Sequence, residues 1–232
     1  MGSVDPMDIK GAVALVTGAN RGIGRAFTRA LIEHGAAKVY AGVRDPASVT
    51  DPDLTPLHLD VTNPEHVVRA AEAAGDVTIV VNNAGVLGAV NDLLEGDLDV
   101  ARRVLEANFF GTWAVSRAFA PVLARNGGGA LVNMLSVASW SGSAVTPAYS
   151  ASKAAQWSLT DAFREGLREQ GTLVVGVHVG PVDTEGAAWM NAPKVEAADV
   201  AEQTLKALAA NNTEVLVDDI ARAVKASLSQ PR

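Results

Sequence analysis

The chain has 232 residues, 48% of them hydrophobic, which suits one α/β domain with a sizeable core better than two small domains. Cysteine is absent, so disulfides, thiolate nucleophiles and cysteine-ligated metals are excluded. The formal net charge is −7 and no block of lysine or arginine offsets it, which argues against nucleic acid and anionic membranes as partners. Because no long apolar run and no signal-peptide pattern is seen, we expect a cytoplasmic protein.

The opening residues, "MGSVDPM", have little hydrophobic pattern and end on a second methionine, Met7. We expect residues 1–8 to be a disordered leader or one added for expression. Residues 9–232 contain no internal repeat and no linker, and we expect them to form one domain that starts near Ile9.

From Ala12 onward, short β-branched runs alternate with longer stretches of helical period, which is typical of repeated βα units and a parallel sheet. The predicted strands are residues 12–17, 38–43, 54–59, 77–82, 130–135, 173–179 and 214–217. The predicted helices are residues 23–34, 64–74, 98–125, 149–170, 199–210 and 220–229. This pattern predicts the α/β class, with a doubly wound Rossmann-type sheet of about seven parallel strands flanked by helices.

A glycine-rich turn, "TGANRGIG", follows the first predicted strand and places Gly18, Gly22 and Gly24 before a predicted helix. In that position, glycines let the backbone turn sharply and approach a pyrophosphate, whose charge the amides at the helix start stabilise. The alternative is a tight turn without a ligand, and the spacing G-x-x-x-G-x-G does not match the general dinucleotide pattern literally. The strand before the turn and the helix after it favour a dinucleotide site.

With this spacing, the turn resembles that of the short-chain dehydrogenase/reductase family, in its NADP-preferring form. Three later segments occur in the family's order, each after a predicted strand: "LDVT" at 59–62, "NNAG" at 82–85 and "GPVDT" at 180–184. Val179 stands where the family's P-G-x-V-x-T segment begins with proline, and this departure removes no chemical group. The resemblance covers about residues 9–184 and implies that residues 9–232 form a single NADP-binding oxidoreductase domain.

The resemblance also implies which residues contact the cofactor. In the family, an aspartate that corresponds to Asp60 contacts the adenine ring, the "NNAG" turn supports the sheet and the ribose, and the last segment lies beside the nicotinamide. The implied cofactor-binding residues are Gly18, Asn20, Arg21, Gly22, Ile23, Gly24, Arg44, Asp60, Val61, Asn82, Ala84, Gly85, Tyr149, Lys153, Gly180, Val182 and Thr184.

Two arginines and one missing acid predict NADP (NADPH) as the cofactor. The second predicted strand ends at Val43, so the acid that binds the ribose hydroxyls of NAD is absent. Arg44 follows directly and Arg21 lies in the glycine turn, both where NADP-preferring members of the family carry basic residues. A guanidinium can bind a phosphate bidentately. The alternative is that both arginines are solvated, with Asp45 as a salt-bridge partner of Arg44.

The stretch "SVASWSGSAVTPAYSASK" places Tyr149 and Lys153 four residues apart on a predicted helix, hence on one face. A nearby ammonium is expected to lower the pKa of the tyrosine, and the hydroxyl of Ser136 at the preceding strand end can hold a carbonyl oxygen. This combination suits general acid-base chemistry on a carbonyl or an alcohol. By itself, the Tyr-Lys pair would more often be a solvated helix face, and the nearby hydroxyls of Ser139, Ser141 and Ser143 compete with that of Ser136.

The resemblance assigns catalysis to Asn108, Ser136, Tyr149 and Lys153, with Tyr149 as general acid and base. Asn108 lies inside a predicted helix, in "LEANFFGT". In the family this asparagine interrupts the helix, so that a water links its backbone carbonyl to the lysine. The family also pairs the helices predicted at 98–125 and 149–170 between subunits, which implies a homodimer or homotetramer.

We therefore expect an enzyme, an NADP-dependent carbonyl reductase or alcohol dehydrogenase that acts on a ketone, an aldehyde or a secondary alcohol. The rival hypothesis is a non-enzymatic NADP-binding regulator or scaffold that kept the fold. Epimerase or dehydratase chemistry on a nucleotide sugar is disfavoured, because the segment after Thr184 is short for a sugar-binding domain. No metal is expected, since the histidines have no ligand spacing: His34, His58, His66 and His178.

Overall fold

The computed structural model describes residues 7–90 and 93–229, so residues 1–6 of the predicted leader lie outside the described residues. Residues 91–92 and 230–232 of the predicted domain lie outside them as well. Met7 already packs against the core, and its backbone N–H donates to the carbonyl of Leu208 at 3.3 Å. Packing therefore begins two residues before the predicted start at Ile9.

Seven parallel strands form one sheet in the order β3-β2-β1-β4-β5-β6-β7. The strands are β1 (Val13–Thr17), β2 (Lys38–Val43), β3 (Leu54–His58), β4 (Ile79–Asn82), β5 (Ala130–Met134), β6 (Leu173–His178) and β7 (Glu214–Leu216). The chain winds outward from β1 in one direction and from β4 in the other. This order confirms the predicted doubly wound Rossmann-type sheet.

The five inner strands of the sheet are buried on both faces, which explains why they are largely apolar runs and not alternating ones, whereas the edge strand β3 is mostly exposed. Neighbouring residues of a strand point to opposite faces, so Val16 packs in a cluster with Phe27, while Leu15 packs in a second cluster with Phe119. Each large side chain that is fully buried in this way contributes about 1.5–3 kcal/mol through the hydrophobic effect.

Helices cover both faces of the sheet. They are α1 (Gly22–Glu33), α2 (Pro64–Ala73), α3 (Leu98–Leu105), α4 (Gly111–Arg125), α5 (Pro147–Gly166), α6 (Ala197–Ala209) and α7 (Asp219–Ser227). Short 3₁₀ turns lie at Pro46–Ser48, Val137–Ser139 and Glu185–Ala187. The helices predicted from the sequence are all found, with ends that differ by a few residues.

The largest differences concern the two long helices. The stretch predicted as one helix at 98–125 is divided into α3 and α4 by a π-helical segment, Glu106–Phe110. Helix α5 begins at Pro147. Proline is favoured at the first position of a helix, because an N–H there would have no acceptor within the helix. Tyr149 is therefore the third residue of α5. The helix ends at Gly166, four residues before the predicted end.

Candidate active site

The candidate site lies at the carboxyl edge of the sheet, where the chain leaves β1 and β4 toward opposite faces. The glycine turn follows β1 and touches two other segments there. A Cβ atom on Gly18 would lie 3.3 Å from Nδ2 of Asn83, and one on Gly22 would lie 3.1 Å from Cγ2 of Thr184. The fold thus brings together three segments that the sequence separates widely.

The conformation of the glycine turn requires glycine at three positions. Gly18 and Gly22 have φ values of +65° and +50°, in the left-handed region that other residues rarely adopt. Gly24 has no room for a side chain, since a Cβ atom would lie 2.2 Å from the carbonyl oxygen of Gly18. Arg21 precedes α1 without capping it through its side chain, so the first amides of α1 keep their capacity to bind an anion. The turn therefore fits a cofactor pyrophosphate.

Asn83 holds the glycine turn in place, although the sequence analysis did not select it. Its Nδ2 donates to the carbonyl of Thr17 at 2.9 Å and to that of Gly18 at 3.3 Å. In return, the backbone N–H groups of Asn83 and Ala84 both donate to Oγ1 of Thr17 at 3.0 Å. The available signal was an amide residue directly after β4, which lies beside β1 in the sheet.

Asn82, which was expected to contact the cofactor, directs its side chain into the interior. Its Nδ2 donates to Oγ of Ser116 and to Oδ1 of Asn133, both at 2.9 Å. Ala84 and Gly85 follow it at the carboxyl edge of β4, and a Cβ atom on Gly85 would lie 3.0 Å from Oδ1 of Asn108. Contacts of Asn82, Ala84 and Gly85 with a cofactor stay predictions.

Asp60 lies just after β3 and accepts two bonds from Thr62, from the backbone N–H at 3.0 Å and from the hydroxyl at 2.8 Å. Burial opposes ionisation of Asp60, but these bonds and the nearby Arg44 outweigh it and lower the pKa of the carboxyl. Val61 packs beside Gly111, where a Cβ atom would meet its Cγ2 at 2.7 Å. Asp60 and Val61 thus lie after β3, and Arg44 after β2, on one side of the candidate site.

The two arginines expected to bind a phosphate are both exposed. Arg21 pairs with Glu185, at 3.0 Å between Nη1 and Oε2, and such exposed pairs contribute only about 0–1 kcal/mol. Asp45 accepts from the backbone N–H of Ala47 and caps the short 3₁₀ turn. Among residues 7–90 and 93–229, no ion pair joins Asp45 to Arg44, so that part of the alternative finds no support, whereas the exposure of both arginines agrees with its other part.

Contacts along its length hold the segment after β6, from Gly180 to Thr184, in place. The backbone N–H of Gly180 donates to Oδ2 of Asp218 at 2.9 Å. Val182 forms an isolated parallel bridge with Val195, and Thr184 contacts the glycine turn at Gly22. The segment can therefore close one side of a nucleotide site.

Ser136 and Tyr149 lie side by side, and the hydroxyl of Ser136 is close enough to act on the phenol of Tyr149. Ser136 directly follows β5, and its Oγ also accepts from the backbone N–H of Ala138 at 3.1 Å. Among the competing serines, Ser139 turns its Oγ back to the N–H of Ser136 at 3.3 Å, and Ser143 accepts from the N–H of Val145 at 3.2 Å. The geometry thus favours Ser136 as the partner of Tyr149.

Lys153 is 5% exposed, and its Nζ lies 5.7 Å from the ring centroid of Tyr149. The ammonium donates to the carbonyl of Met134 at 2.6 Å and to Oε1 of Gln156 at 2.8 Å. Burial lowers the pKa of Lys153 to about 7. Burial also raises the pKa of Tyr149 above its ordinary value, and the nearby hydroxyl of Ser136 opposes this only in part. The expected decrease in the pKa of Tyr149 is therefore wrong, because desolvation of the phenolate outweighs the opposing effect of the Ser136 hydroxyl.

Asn108 lies in the π-helical segment and is completely buried. Its Oδ1 accepts from the N–H of Val86 at 2.8 Å, while its Nδ2 donates to the carbonyl of Val86 and to Oγ of Ser152, both at 2.9 Å. Its backbone carbonyl accepts from the hydroxyl of Thr112 at 2.8 Å. The predicted interruption of the helix is confirmed, and a water between this carbonyl and Lys153 stays a prediction.

A cavity of about 440 Å³ lies next to these residues, between the loop after β5 and helix α5. Trp140, Gly142, Pro147 and Ala151 are among the residues that line it, whereas Tyr149 and Lys153 do not. The cavity therefore lies beside Tyr149 and Lys153 without being lined by them.

Neither a metal site nor a membrane span emerges from the part of the chain that the structure describes. No three side chains of histidine, aspartate or glutamate come together there as metal ligands. None of the described helices combines the length and the apolar character needed to cross a bilayer.

Comparison with known proteins agrees with this geometry. The sequence model of a family described as short chain dehydrogenase matches residues 12–194. The chain is 35% identical to 1-deoxy-11-beta-hydroxypentalenate dehydrogenase from Streptomyces exfoliatus, over 93% of this chain and 86% of that protein. It is 32% identical to the short chain dehydrogenase pigC of Monascus ruber, over 79% of this chain and 67% of that protein.

Two solved structures are also similar. A short chain dehydrogenase from Burkholderia cenocepacia J2315 in complex with NADP shares 39% identity, with a TM-score of 0.93, over 97% of this chain and 96% of that one. A short chain dehydrogenase/reductase from Burkholderia phymatum in complex with NAD shares 26% identity, with a TM-score of 0.83, over 96% and 93% of the two chains. The two structures contain different cofactors, so the choice between NADP and NAD in this chain depends on its own residues.

The close packing at Gly24 predicts that Gly24→Ala displaces the glycine turn. The new methyl group would lie 2.2 Å from the carbonyl oxygen of Gly18 and 2.6 Å from Nδ2 of Asn83. We expect the free energy of unfolding to fall by about 1–3 kcal/mol, as for other overpacked sites, and NADPH binding to weaken about tenfold or more. Urea unfolding and a fluorescence titration with NADPH measure the two effects.

The matched control is Gly166→Ala at the end of α5, where a Cβ atom meets nothing within 4 Å. This variant should bind NADPH as the unmodified protein does. Normal stability and normal NADPH affinity in Gly24→Ala would contradict the role given to the turn.

The buried amine of Lys153 predicts that stability rises with pH above neutrality. Because burial lowers its pKa from 10.5 to about 7, the unfolded chain holds a proton in this range that the folded chain has released. Unfolding then takes up a proton, so this group makes the free energy of unfolding increase by up to about 1.4 kcal/mol per pH unit. Lys153→Met should flatten the increase in urea unfolding across this pH range, whereas the exposed Lys206→Met should not. Equal slopes in all three proteins would refute the burial argument.

Proposed function

The chain belongs to the short chain dehydrogenase family, and we propose that it is an NADP-dependent oxidoreductase that interconverts a ketone or aldehyde with the matching alcohol. The observation that carries this proposal is the placement of the Ser136 hydroxyl beside the phenol of Tyr149 at the carboxyl edge of the sheet. The buried amine of Lys153 lies behind this pair. Proton exchange with a substrate oxygen is the chemistry that such a group of residues supports best.

The cofactor, when bound, supplies or accepts a hydride at the substrate carbon. We propose that the glycine turn and the start of α1 hold its pyrophosphate, with Asn83 keeping the turn in place. Asp60 and Val61 would lie toward the adenine, and the segment from Gly180 to Thr184 toward the nicotinamide. Support for this arrangement comes from the proximity of Thr184 to Gly22, which places the segment from Gly180 to Thr184 next to the glycine turn.

Tyr149 acts as the proton donor in the reducing direction. Its raised pKa keeps the phenol protonated near neutral pH, so that an O–H group is ready to protonate the oxygen of the substrate as the carbon is reduced. The hydroxyl of Ser136 holds the same oxygen by a hydrogen bond. In the oxidising direction the proton returns from the alcohol to Tyr149, and the amine of Lys153 stabilises the phenolate when it carries its own proton.

The preference for NADP rests on Arg21 and Arg44 and on the absence of an acid at Val43. Both guanidinium groups are exposed, and the weak pairing of Arg21 with Glu185 leaves it free to move to a stronger anion. Either arginine can bind a 2′-phosphate. The Burkholderia cenocepacia protein, which is 39% identical, was solved with NADP, and this likeness supports the same choice.

The rival hypothesis, a non-enzymatic regulator that binds NADP, accounts poorly for the site. It gives no reason to keep a charged amine buried beside a tyrosine, an arrangement that is costly for stability. Incubation with NADPH and a panel of ketones and aldehydes, followed by the cofactor absorbance, distinguishes the two hypotheses. Binding of NADPH without turnover of any carbonyl compound would favour the regulator.

We further propose a homodimer or homotetramer that works in the cytoplasm. Phe110 and Trp113 are 48% and 45% exposed beside the π-helical segment, and large exposed aromatic side chains favour a protein partner. A second copy of the chain is the simplest such partner, and family members pair the corresponding helices.

Replacement of the proposed proton donor gives the most direct test. Tyr149→Phe should bind NADPH almost normally, while kcat falls by about 10²–10⁴, because only the exchanged proton is lost. Tyr40→Phe is a matched control, since Tyr40 is the other tyrosine of the chain and bonds only to Lys38 and Asp76, away from the site. Steady-state turnover of Tyr149→Phe at the level of Tyr40→Phe would sink the assignment.

The cofactor preference can be tested by reversing it. The unmodified protein should bind NADPH more tightly than NADH, and the double variant Val43→Asp with Arg44→Ala should prefer NADH, because the new acid repels the 2′-phosphate. Dissociation constants for both cofactors measure this. Arg69→Ala, at another exposed arginine, should leave the preference unchanged. An unmodified protein that binds NADH equally well or better would show that the argument from Arg21 and Arg44 is wrong.

A further inference from the structure

A continuous run of hydrogen bonds joins Lys153 to the π-helical segment through Gln156. Nζ of Lys153 donates to Oε1 of Gln156 at 2.8 Å, and Nε2 of Gln156 donates to Oγ1 of Thr112 at 2.9 Å. The hydroxyl of Thr112 then donates to the backbone carbonyl of Asn108 at 2.8 Å. All four residues are at most 5% exposed. Bulk water therefore does not replace these bonds easily.

A second arm of the same network returns to the tyrosine. Nδ2 of Asn108 donates to Oγ of Ser152 at 2.9 Å, and Ser152 donates to the backbone carbonyl of Tyr149 at 2.7 Å. The π-helical segment is thus connected to α5 on either side of Lys153, through Ser152 and through Thr112 and Gln156. Within this network, Gln156 is the side chain that contacts the lysine amine directly.

The direction of each bond at Gln156 follows from the chemistry of its partners. An ammonium only donates, so the amide oxygen of Gln156 must face Lys153 and its amide nitrogen must face Thr112. The hydroxyl of Thr112 accepts that N–H and is left to donate to Asn108. A hydrophobic residue at position 156 would fill the same volume, but it would leave both the amine and Thr112 without these partners.

Few groups act on the Lys153 amine besides its two acceptors. The carbonyl of Met134 on β5 and the amide of Gln156 on α5 accept two of its three N–H groups. Tyr149 is the titratable group that faces it, and burial alone accounts for the lowered pKa of the lysine, with no contribution from a charged side chain. A change in the polarity of residue 156 therefore shifts the pKa of this amine with little compensation from other groups.

We propose that Gln156 is a positioning residue, which holds the ammonium of Lys153 in place beside Tyr149 and ties it through Thr112 to the Asn108 segment. This inference rests on the proposed function, since it assigns Gln156 a part in turnover through Lys153. Gln156 touches neither the substrate nor the cofactor in this proposal. Its effect is on the geometry and the protonation of the amine.

Two substitutions of similar size move the amine in opposite directions. Gln156→Glu places a carboxylate against Nζ and should raise the pKa of Lys153 by about one unit or more. Gln156→Met removes the acceptor and should lower that pKa further. In the reducing direction, the alkaline limb of the pH profile of kcat should move up in the first variant and down in the second. A role in packing alone would leave this limb in place.

Thr112→Val is the matched control, because it breaks the next bond of the network without touching the amine. We expect it to lower the melting temperature and leave the alkaline limb nearly unchanged. If Gln156→Met fails to fold, Gln156→Glu still tests the proposal, since its carboxylate retains the acceptor for Lys153 and loses only the N–H that Gln156 donates to Thr112.

A titration that does not depend on activity separates this inference from the proposed function. The protein labelled with ¹³C at the lysine ε-carbons shows the pKa of Lys153 directly by NMR, with the signal assigned through Lys153→Met. Shifts in opposite directions in the two Gln156 variants, matched by the pH profiles of kcat, support the proposal. Unchanged titrations and profiles in an active enzyme would overturn it and leave the proposed function intact. An unmodified protein without turnover would reject the proposed function and, with it, any part of Gln156 in turnover.

Discussion

Lys153 carries an amine that has been removed from water, and such a group is costly to charge unless acceptors reach it. The end of β5 offers the carbonyl of Met134, and α5 offers the amide of Gln156. Because Gln156 is buried as well, its amide N–H requires an acceptor, which is the hydroxyl of Thr112. That hydroxyl in turn donates to the backbone carbonyl of Asn108. The hydrogen bonds that satisfy this one amine therefore fix β5, α4 and α5 relative to one another. The position of Tyr149 on α5 follows from that arrangement.

The other half of the site depends on the sheet itself. Since β1 and β4 are neighbours but lead to opposite faces, the turns after them meet, and Thr17 and Asn83 exchange hydrogen bonds across the gap. These bonds leave the glycine turn pressed against the turn after β4, where Gly24 has no space for a methyl group. The proposed sites of nucleotide binding and proton transfer thus have separate supports that share one edge of the sheet.

Local patterns in the sequence predicted the strands, the order of the segments and the presence of Tyr149 and Lys153 on one helix, because apolar runs and motif spacings are properties of short stretches. They did not predict that the pKa of Tyr149 would rise, because burial of the phenol depends on residues far away in the chain. Asn83 and Gln156 were missed for a related reason. An amide in a turn or on a helix looks like any polar residue until packing shows which groups it faces. The interruption at Asn108 was expected only from family resemblance, since helix propensity penalises an internal asparagine only mildly.

The π-helical segment between α3 and α4 has a consequence for how this chain can change. Each residue of a regular α-helix turns the chain by about 100°, so the loss or gain of one residue at Glu106–Phe110 would rotate one helix against the other by that angle. Asn108, now completely buried, would turn away from Val86, and the exposed Phe110 would be carried toward the interior. A change in the number of residues between α3 and α4 would therefore disturb the site even where every side chain of the network is kept.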